Sequence, residues 1–516
     1  MKRRIINTSI IPLILILVFL SVGCTDWLDE KVYSQLPVES YGKNEAEVNS
    51  LIAPIYTGLR SANNPITIAE TSSDMAIAPT RKGGDWWDGG VYKELRLGTW
   101  TSKTSHIVSF YNTCMSRVAA CNQILYLINN AQGITDKLPY QCQVRAARAF
   151  WYYELCDYYG NVPIVTDFTD LSKPATKTRA EVYNFVISEL NDIKDKIRSD
   201  VSSSSYGKFT KGAVYTILAK MYLNAMVWNP DGGPKWQECI NACDTVLKLP
   251  YKLCANWNDN FKVYNENCPE HILTAINSPS AGMGVLAFTL HYLDYLALGT
   301  TRRGNNGLSA MPDYVRQFDV DDKRRGDEVE HKPGSFLMGP MRNLSTGEII
   351  MTAHGRPLIH TIDIVMKYGI DSDGWGQCEQ EDGARCFKWE IEKGVNYMQN
   401  DCAIFRLADI YLMKAECLVR LNKDNDEATR LVNEIRKRAF DDPAKLKTSV
   451  TLDDIYLERR LEFAWESFTR QDQIRFGTFC DPIPGWRGTI PEFRKLFPIP
   501  QTAIDANPSL KQNPGY

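Results

Sequence analysis

The stretch KGAVYTILAKMYLNA, residues 211–225, decides the fold, because its apolar residues recur with the period of an α-helix. Val214, Ile217, Leu218, Met221 and Ala225 follow one another at steps of one, three or four positions. This spacing places them on one face of a helix, and that face must be buried against a partner. A mainly α protein is therefore predicted.

Similar apolar stripes extend the helical prediction along the chain. Further helices are expected at about 45–60, 106–130, 140–159, 236–248, 402–421 and 452–476. Short turns join several of them into pairs: 140–159 with 180–198, 209–227 with 236–248, and 402–421 with 424–440. Pairs at roughly the 34-residue spacing of tetratricopeptide repeats predict a superhelical scaffold of paired helices.

Two segments do not follow the helical period. Residues 61–104 and 250–400 are rich in Gly, Pro, Asn and Asp, whereas the scaffold is expected over about 40–60, 105–250 and 400–476. Loops of this length are usually functional. Eight of the twelve tryptophans lie outside the predicted repeat helices. We therefore expect the irregular half to carry a ligand site.

Composition excludes several classes of protein. Hydrophobic residues make up 44% of the 516 residues and charged residues 23%, as in ordinary globular proteins. Fifty-nine basic residues face 62 acidic ones, a net charge of −3. A nucleic-acid-binding protein would carry a basic excess on one face, so no nucleic-acid partner is predicted.

The amino terminus has the pattern of a secretory signal. A basic start at Lys2 to Arg4 precedes an apolar run from Ile10 to Leu20, which is shorter than the ~20 residues that span a bilayer. The run ends in Leu20-Ser21-Val22-Gly23-Cys24, which resembles a bacterial lipobox. Cleavage would leave a lipid on Cys24 as the membrane anchor. The prediction is a signal peptide over 1–23 and one mature domain over 24–516.

The cysteines do not form a recognisable framework. Thirteen remain besides Cys24, no CxxC pair occurs, and most lie in apolar helical stretches. They are read as small buried hydrophobic residues. Cys378 and Cys386, in a polar loop, are the pair considered for a bridge, and their redox state stays open.

Motifs of catalysis and metal binding are weak. HExxH, GxSxG and the phosphate-binding loop of nucleotide hydrolases are absent. Asp371, Asp373 and Asp382 imitate a calcium loop, but Trp375 stands at a ligand position. Clustered carboxylates at 379–392 suit a solvated acidic loop better than a glycosidase pair. The prediction is no catalysis, no cofactor and no metal site.

Charged motifs near the carboxyl terminus are interpreted as structural. In Glu458-Arg459-Arg460-x-Glu462, charges three and four residues apart are expected to pair with each other and with Arg470, Asp472 and Arg475. The proline-rich end, closing on Tyr516, is expected to pack along the scaffold as an extended tail.

Taken together, the motifs resemble those of the SusD/RagB family, the surface lipoproteins of nutrient uptake in Bacteroidetes. The match is good over about 24–270 and 400–516. The motifs that carry it, in family order, are Cys24 to Asp29, Arg145 to Tyr153, Tyr159 to Pro163, Lys211 to Leu223, Arg406 to Glu416, Val432 to Arg436, Glu458 to Phe463, Phe497 to Pro500 and Gln512 to Tyr516.

The resemblance implies a fold, a location and a partner. Four tetratricopeptide-like helix pairs would support an irregular ligand-binding half. The protein would sit at the cell surface, anchored in the outer membrane by its lipid, over a SusC-like TonB-dependent transporter.

Candidate ligand residues follow from the chemistry of sugars. An apolar pyranose face stacks on an exposed aromatic ring, while the hydroxyls seek Asp, Asn or Arg. Residues 74–100 hold such a mixture, in a region where the family commonly places ligand contacts. Adjacent Trp86 and Trp87 cannot both face inwards on an extended chain, so one should be exposed. The candidates are Asp74, Arg81, Trp86, Trp87, Tyr92, Tyr292, Tyr295, Arg302, Trp375 and Trp389.

These observations predict a glycan-binding surface lipoprotein. Three alternatives stay open: the same fold binding peptides or another nutrient, a surface glycoside hydrolase, and a pure scaffold. The sugar, its linkage and its length are not predicted.

Overall fold

The computed structural model describes residues 42–516 except 64, 279–284 and 397. The predicted signal peptide and the lipidation at Cys24 lie outside the described residues. Within them, no helix is both long enough and apolar enough to cross a membrane.

The described chain is mainly α, as predicted. Its helices are α1 Glu45–Thr57, α2 Pro65–Ser72, α3 Val91–Leu97, α4 Ser105–Asn130, α5 Leu138–Tyr158, α6 Arg179–Ile193, α7 Lys211–Leu223, α8 Ala225–Trp228, α9 Trp236–Leu247, α10 Val285–Thr289, α11 Tyr295–Leu298, α12 Pro312–Val315, α13 Leu407–Arg420, α14 Asn425–Ala439, α15 Leu452–Phe463, α16 Thr469–Phe476 and α17 Gln501–Ala506.

The strands are short and lie mostly in the irregular segments. They are β1 Ala76–Ile77, β2 Thr80–Arg81, β3 Val162–Pro163, β4 Thr176–Lys177, β5 His271–Ala275, β6 Ser309–Ala310, β7 Phe336–Leu337, β8 Gly339–Pro340, β9 Ile359–His360, β10 Gln377–Cys378, β11 Arg385–Cys386 and β12 Cys402–Arg406. They form two-stranded sheets: β1 with β6, β2 with β10, β3 with β4, β5 with β12, β7 with β11 and β8 with β9.

The predicted helix pairs are confirmed. Helix α5 packs on α6, α7 on α9 and α13 on α14, and α4 with α5 adds a further pair. Helix α9 also packs on α13, which joins the two ends of the scaffold. The stripe of residues 211–225 is fully buried where predicted: Val214, Ile217 and Met221 have no exposed surface.

Two predicted helices have different bounds. The helix expected over 452–476 is interrupted after Phe463, because Trp465 and Ser467 have positive φ angles of 66° and 67°. Trp465 is completely buried, and its indole N–H donates to the Ser335 carbonyl at 3.0 Å. Residues 402–406, expected at the start of a helix, form the strand β12 instead.

The segment 61–104 is less irregular than predicted. It contains α2 and α3 with the short strands β1 and β2 between them. Buried residues on α2, such as Ile68 and Ala69, attach the segment to the core. The middle of the chain, between β5 and β12, fits its prediction of long connections and very short elements.

Paired charges are buried between α13, α14, α15 and α16. Both carboxylate oxygens of Glu462 are occupied, with Arg406 at 2.6 Å, Arg438 at 2.7 Å and Arg324 at 3.0 Å. Arg459 bridges Asp409 and Asp472, each at 2.8 Å. The motif at 458–462 is structural, as interpreted, but its charges pair with residues outside it and not with each other, and of the three expected partners only Asp472 pairs with it. Arg470 donates to the Lys495 carbonyl rather than to a carboxylate.

The carboxyl-terminal tail is fixed to the scaffold, as predicted. The Asn513 amide donates to the carbonyls of Tyr159 and Phe497, both at 2.7 Å. The Trp100 indole N–H donates to the Tyr516 hydroxyl at 2.6 Å, and that hydroxyl donates to the Leu496 carbonyl.

Candidate functional site

The candidate site is built on a tight coil that follows β2. Arg81 N–H donates to the Asp85 carbonyl at 2.8 Å, and Gly84 N–H to the Arg81 carbonyl at 2.9 Å. Residues 83, 84, 86 and 88–90 all have positive φ angles. Glycine adopts such angles without strain, whereas Trp86, at 64°, is held there by its surroundings. The coil thereby turns two neighbouring tryptophans in different directions.

Trp86 is the anchored member of the pair. Its indole N–H donates to the Asn305 carbonyl at 2.6 Å. Its ring packs on Tyr92, with centroids 5.2 Å apart, and meets Phe288 edge-on at 6.0 Å. A Cβ on Gly307 would overlap the ring. Trp86 is half-buried, so it stabilises the coil while part of its surface stays accessible.

Trp87 is the exposed member, with 45% of its surface accessible, which confirms that one of the two faces solvent. Its six-membered ring lies over Gly90. Beside it is a concavity of about 510 Å³, lined by Lys93, Glu94 and Asp373 as well as by Trp87 itself. Flat apolar surface and charged hydrogen-bonding groups therefore meet at one place.

A second group of rings comes from residues 288–303. Phe288 is 41% exposed and touches Trp86. Tyr292 and Tyr295 are half-buried, and the Arg303 guanidinium lies 5.2 Å from the centre of the Tyr295 ring. Burial and the negative charges of Asp85 and Glu381 raise the pKa of Tyr292. We call Trp86, Trp87 and Phe288 the aromatic surface, since Phe288 contacts Trp86; Tyr292 and Tyr295 follow Phe288 along the chain.

Phe288 was missed by sequence reasoning. It is apolar and lies within a short apolar helix, α10, which gives no sign that the ring is exposed. The one sequence feature that could have pointed to Phe288 as a site residue is its position four residues before the candidate Tyr292.

Two polar candidates are structural instead. Asp74 forms a two-pronged ion pair with Arg460, at 2.9 and 3.0 Å. Arg81 is completely buried, and its guanidinium donates to the carbonyls of Asn306, Gly307 and Asp382. The expectation that Arg81 faces a ligand is therefore wrong, because its donors hold the backbone beneath the coil together.

Three aromatic candidates are also buried. Tyr92 is 4% exposed beneath Trp86, and Trp375 is 5% exposed with its indole N–H donating to Thr80 Oγ1 at 3.0 Å. Trp389 is 4% exposed and packs edge-on against Phe261. None of these rings offers a face to a ligand. Arg302 is half-buried and lines a small cavity of about 30 Å³ beside Arg303.

The calcium-like loop is occupied by a lysine. Lys93 Nζ lies 2.6 Å from Asp371 and 2.7 Å from Asp373. These hydrogen-bonded ion pairs raise the pKa of Lys93 and keep it charged. The ammonium group therefore lies where a calcium ion would lie in a calcium-binding loop. Among the described residues, no group of three or more His, Cys, Asp or Glu side chains is placed to hold a metal ion.

The acidic segment at 379–382 is not solvated, contrary to the prediction. Glu379, Glu381 and Asp382 are each at most 6% exposed. Glu379 pairs with Lys82 and Arg356, and it accepts a hydrogen bond from the Tyr368 hydroxyl. These contacts attach the segment to the coil that carries the two tryptophans.

A larger concavity, of about 950 Å³, lies elsewhere on the described surface, beside α4 and α17. Serine, threonine and asparagine side chains dominate its lining, which contains no aromatic ring. Without a flat apolar face it does not meet the requirement for sugar stacking, so we place the candidate site at the aromatic surface.

Two family models match the chain on either side of its middle. A model described as "SusD family" matches residues 379–516, and one described as "Starch-binding associating with outer membrane" matches 26–223. The matched parts contain the helices of the scaffold except α8 and α9, and the coil with Trp86 and Trp87.

Relatives of known name and structure agree. Starch-binding protein SusD of Bacteroides thetaiotaomicron is 27% identical over 434 residues, 76% of either chain. Surface glycan-binding protein A from the same organism, solved with laminarihexaose, has a TM-score of 0.71 at 19% identity and covers 91% of this chain and 99% of its own. Its counterpart from Bacteroides uniformis has a TM-score of 0.72 at 19% identity, with the same coverage.

The fold of these structures is that of the scaffold described above, with an irregular half attached to paired helices. Matches at both ends of the sequence and along nearly the whole fold lead to one conclusion. The chain belongs to the SusD/RagB family.

Proposed function

We propose that this protein is a lipid-anchored cell-surface protein that captures oligosaccharide or polysaccharide on the aromatic surface and delivers it to a SusC-like TonB-dependent transporter. The observation that carries the proposal is the exposed indole of Trp87 beside a concavity lined by Lys93, Glu94 and Asp373.

The arrangement suits a sugar better than a purely apolar ligand. The C–H face of a pyranose packs on an indole, and its hydroxyls both donate and accept hydrogen bonds. Lys93 supplies donors, while Glu94 and Asp373 supply acceptors. Phe288, which is exposed and contacts Trp86, adds a second accessible ring, which favours a chain of sugars over a single monosaccharide.

Relatives support binding without catalysis. The family consists of binding proteins rather than enzymes, and this chain is not an enzyme. Starch and laminarihexaose are the ligands named for two relatives. They support a glycan as the ligand class and leave the sugar of this chain to experiment.

The location rests on two independent signals. One family model carries the description "associating with outer membrane". The lipobox-like end of the predicted signal peptide supports a lipid on Cys24 as the anchor. The transporter partner is inferred from the family resemblance.

The binding proposal is tested by a glycan array run beside a peptide pool, followed by calorimetry with the best ligand. Trp87→Ala should lose at least about thirtyfold in affinity, as for an aromatic hot spot. Phe168→Ala is the matched control. Phe168 is 44% exposed, much like Trp87, but it lies in the connection between α5 and α6, where its ring packs on Tyr126 of α4. Binding to peptides alone, or equal effects of both substitutions, would contradict the proposal.

Anchoring and delivery are tested separately. Palmitate should label the wild type and not Cys24→Ala, and a transporter barrel should co-purify with the labelled protein. Unlabelled wild type in the membrane fraction would refute the lipid anchor without touching the glycan site.

A further inference from the structure

Two thiols meet in the irregular segment that joins α9 to β5. Cys254 Sγ and Cys268 Sγ lie 3.3 Å apart and are nearly buried, with 6% and 9% of their residue surfaces exposed. A disulfide requires about 2.05 Å between the sulfurs, so a modest rotation of the cysteine side chains would bring the two sulfurs to bonding distance.

The backbone holds the two cysteines side by side without help from the sulfurs. Lys252 N–H donates to the Pro269 carbonyl at 3.0 Å. Cys254 N–H donates to the Glu270 carboxylate at 2.9 Å, and Cys268 N–H to the Asn265 carbonyl at 3.1 Å. The two ends of the loop between the cysteines are therefore already closed.

The surroundings of the pair favour one thiolate and one thiol. A hydrogen bond from Cys254 and the nearby His271 ring lower the pKa of Cys268 below its ordinary value, against the effect of burial. The same contact, together with burial, raises the pKa of Cys254. A thiolate is the attacking form in thiol–disulfide exchange.

Other cysteines lack this combination. Cys378 and Cys386 lie on β10 and β11, which pair with β2 and β7 respectively, and Arg81 Nη1 donates to the Cys378 sulfur at 3.6 Å. Cys239 and Cys417 interact between α9 and α13, where burial raises both pKa values well above the ordinary range. Protonated thiols in a helical core are poor nucleophiles.

We propose that Cys254 and Cys268 form a disulfide in the exported protein, closing the segment between α9 and β5. The proposal goes beyond glycan binding, and it depends on export, which the amino-terminal signal predicts. It does not depend on the identity of the ligand.

The oxidant is another disulfide, either of a thiol–disulfide exchange protein or of a small molecule. The Cys268 thiolate attacks one of its sulfurs, forming a mixed disulfide and releasing the other sulfur as a thiolate. The Cys254 thiol gives up its proton, and its sulfur attacks Cys268 Sγ and expels the second thiolate. Two electrons pass to the oxidant, which ends as two thiols, and two thiol protons leave the chain.

The bond would stabilise more than its own loop. Glu270, two residues after Cys268, accepts ion pairs from Arg406 at 3.0 Å and Arg438 at 2.7 Å. A disulfide that fixes residues 254–268 restricts the unfolded chain and keeps Glu270 beside these arginines.

The first test is peptide mapping of the protein purified from the outer-membrane fraction of an exporting cell. Thiols are alkylated during unfolding without reductant, and the protein is cut with trypsin. Cleavage after Lys262 separates Cys254 from Cys268. The expected product is a pair of linked peptides, lighter by two hydrogen atoms than their sum, while Cys378 and Cys386 are alkylated. Alkylated Cys254 and Cys268 would overturn the proposal.

The second test is thermal unfolding of the same preparation with and without reductant. Reduction should lower the melting temperature of the wild type by about 3 °C, as expected for a loop of this size in a large protein. Cys254→Ser with Cys268→Ser should melt at a temperature that reductant does not change. A wild type insensitive to reductant would mean that the two cysteines only fill space.

Discussion

Charged side chains have different roles in the scaffold and beneath the aromatic surface. Between α13 and α16, Glu462 lies among three arginines, and these buried charges have partners of opposite sign. Beneath the coil at 81–90, the buried Arg81 and Arg385 donate to backbone carbonyls instead. Like charges thus lie near one another, and burial with the positive charge of Arg81 lowers the pKa of Arg385 well below its usual range.

The difference teaches how a regular and an irregular region are stabilised. Helices satisfy their own backbone groups, so buried side-chain charges in the scaffold are free to pair with each other. An irregular segment leaves carbonyls without partners, and arginine, with five donors, can bind several of them at once. The aromatic surface therefore rests on a hydrogen-bonded base, which allows Trp87 to stay exposed.

The largest effect is expected from breaking the scaffold network at Glu462. Burial alone would raise the pKa of Glu462, but Arg438, Arg406 and Arg324 hold it well below its usual range. Glu462→Gln leaves these arginines partly unpaired and should cost about 3–5 kcal/mol of unfolding free energy. Chemical denaturation measures the loss. Glu434→Gln, which removes only a surface pair with Lys437, should change stability by less than about 1 kcal/mol. Similar losses in both variants would refute the distinction.

A second substitution separates the two tryptophans. Trp86→Ala removes the hydrogen bond to Asn305 and the contacts with Tyr92 and Phe288, and should cost about 3 kcal/mol of unfolding free energy. Trp87→Ala should leave the melting temperature nearly unchanged, because so much of its ring is exposed. Differential scanning calorimetry of both variants measures the two effects on stability. Equal destabilisation would show that Trp87 is a core residue.

The tail offers an intermediate effect. Deleting Gln512 to Tyr516 removes the two Asn513 amide bonds and the Tyr516 hydroxyl between Trp100 and Leu496. A net cost of about 2 kcal/mol is expected, at ~0.5–1.5 kcal/mol for each hydrogen bond. It should appear as a lower melting temperature with glycan affinity retained. An unchanged melting curve would show that the tail contributes nothing to the scaffold.

The last effect concerns pH and the buried Glu154. Burial, with the nearby Asp157 and against the attraction of Lys220, raises the pKa of Glu154 to about 8. Folding then takes up a proton between the ordinary glutamate pKa and about 8, so this residue lowers stability as pH rises through that window. Glu154→Gln cannot ionise, so it should be more stable than wild type at pH 8, by about 1.4 kcal/mol for each pH unit above the ordinary glutamate pKa, but not at pH 4. Chemical denaturation of both proteins at pH 8 and pH 4 measures the difference in unfolding free energy. The same difference at the two pH values would contradict the prediction.

Much of the scaffold could be predicted because its signals are local. The apolar period at 211–225 predicted α7, and the pairing of α13 with α14 followed from a connection of four residues. The break between α15 and α16 could not be predicted, because Trp465 is turned inwards by a bond to Ser335, far away in sequence. Likewise, nothing in the residue types distinguishes the buried Trp375 from the exposed Trp87.

The sequence by itself determined the helical period, the family motifs and a ligand region rich in tryptophan. The tertiary structure decided which of those side chains meet solvent. Partners from distant segments hold Asp74, Arg81, Trp375 and Trp389, and Trp86 covers Tyr92, while Trp87 stayed outside and Phe288 was brought beside Trp86. The physical reason is that helix formation depends on spacing within a few turns, whereas exposure depends on which remote segment covers a side chain.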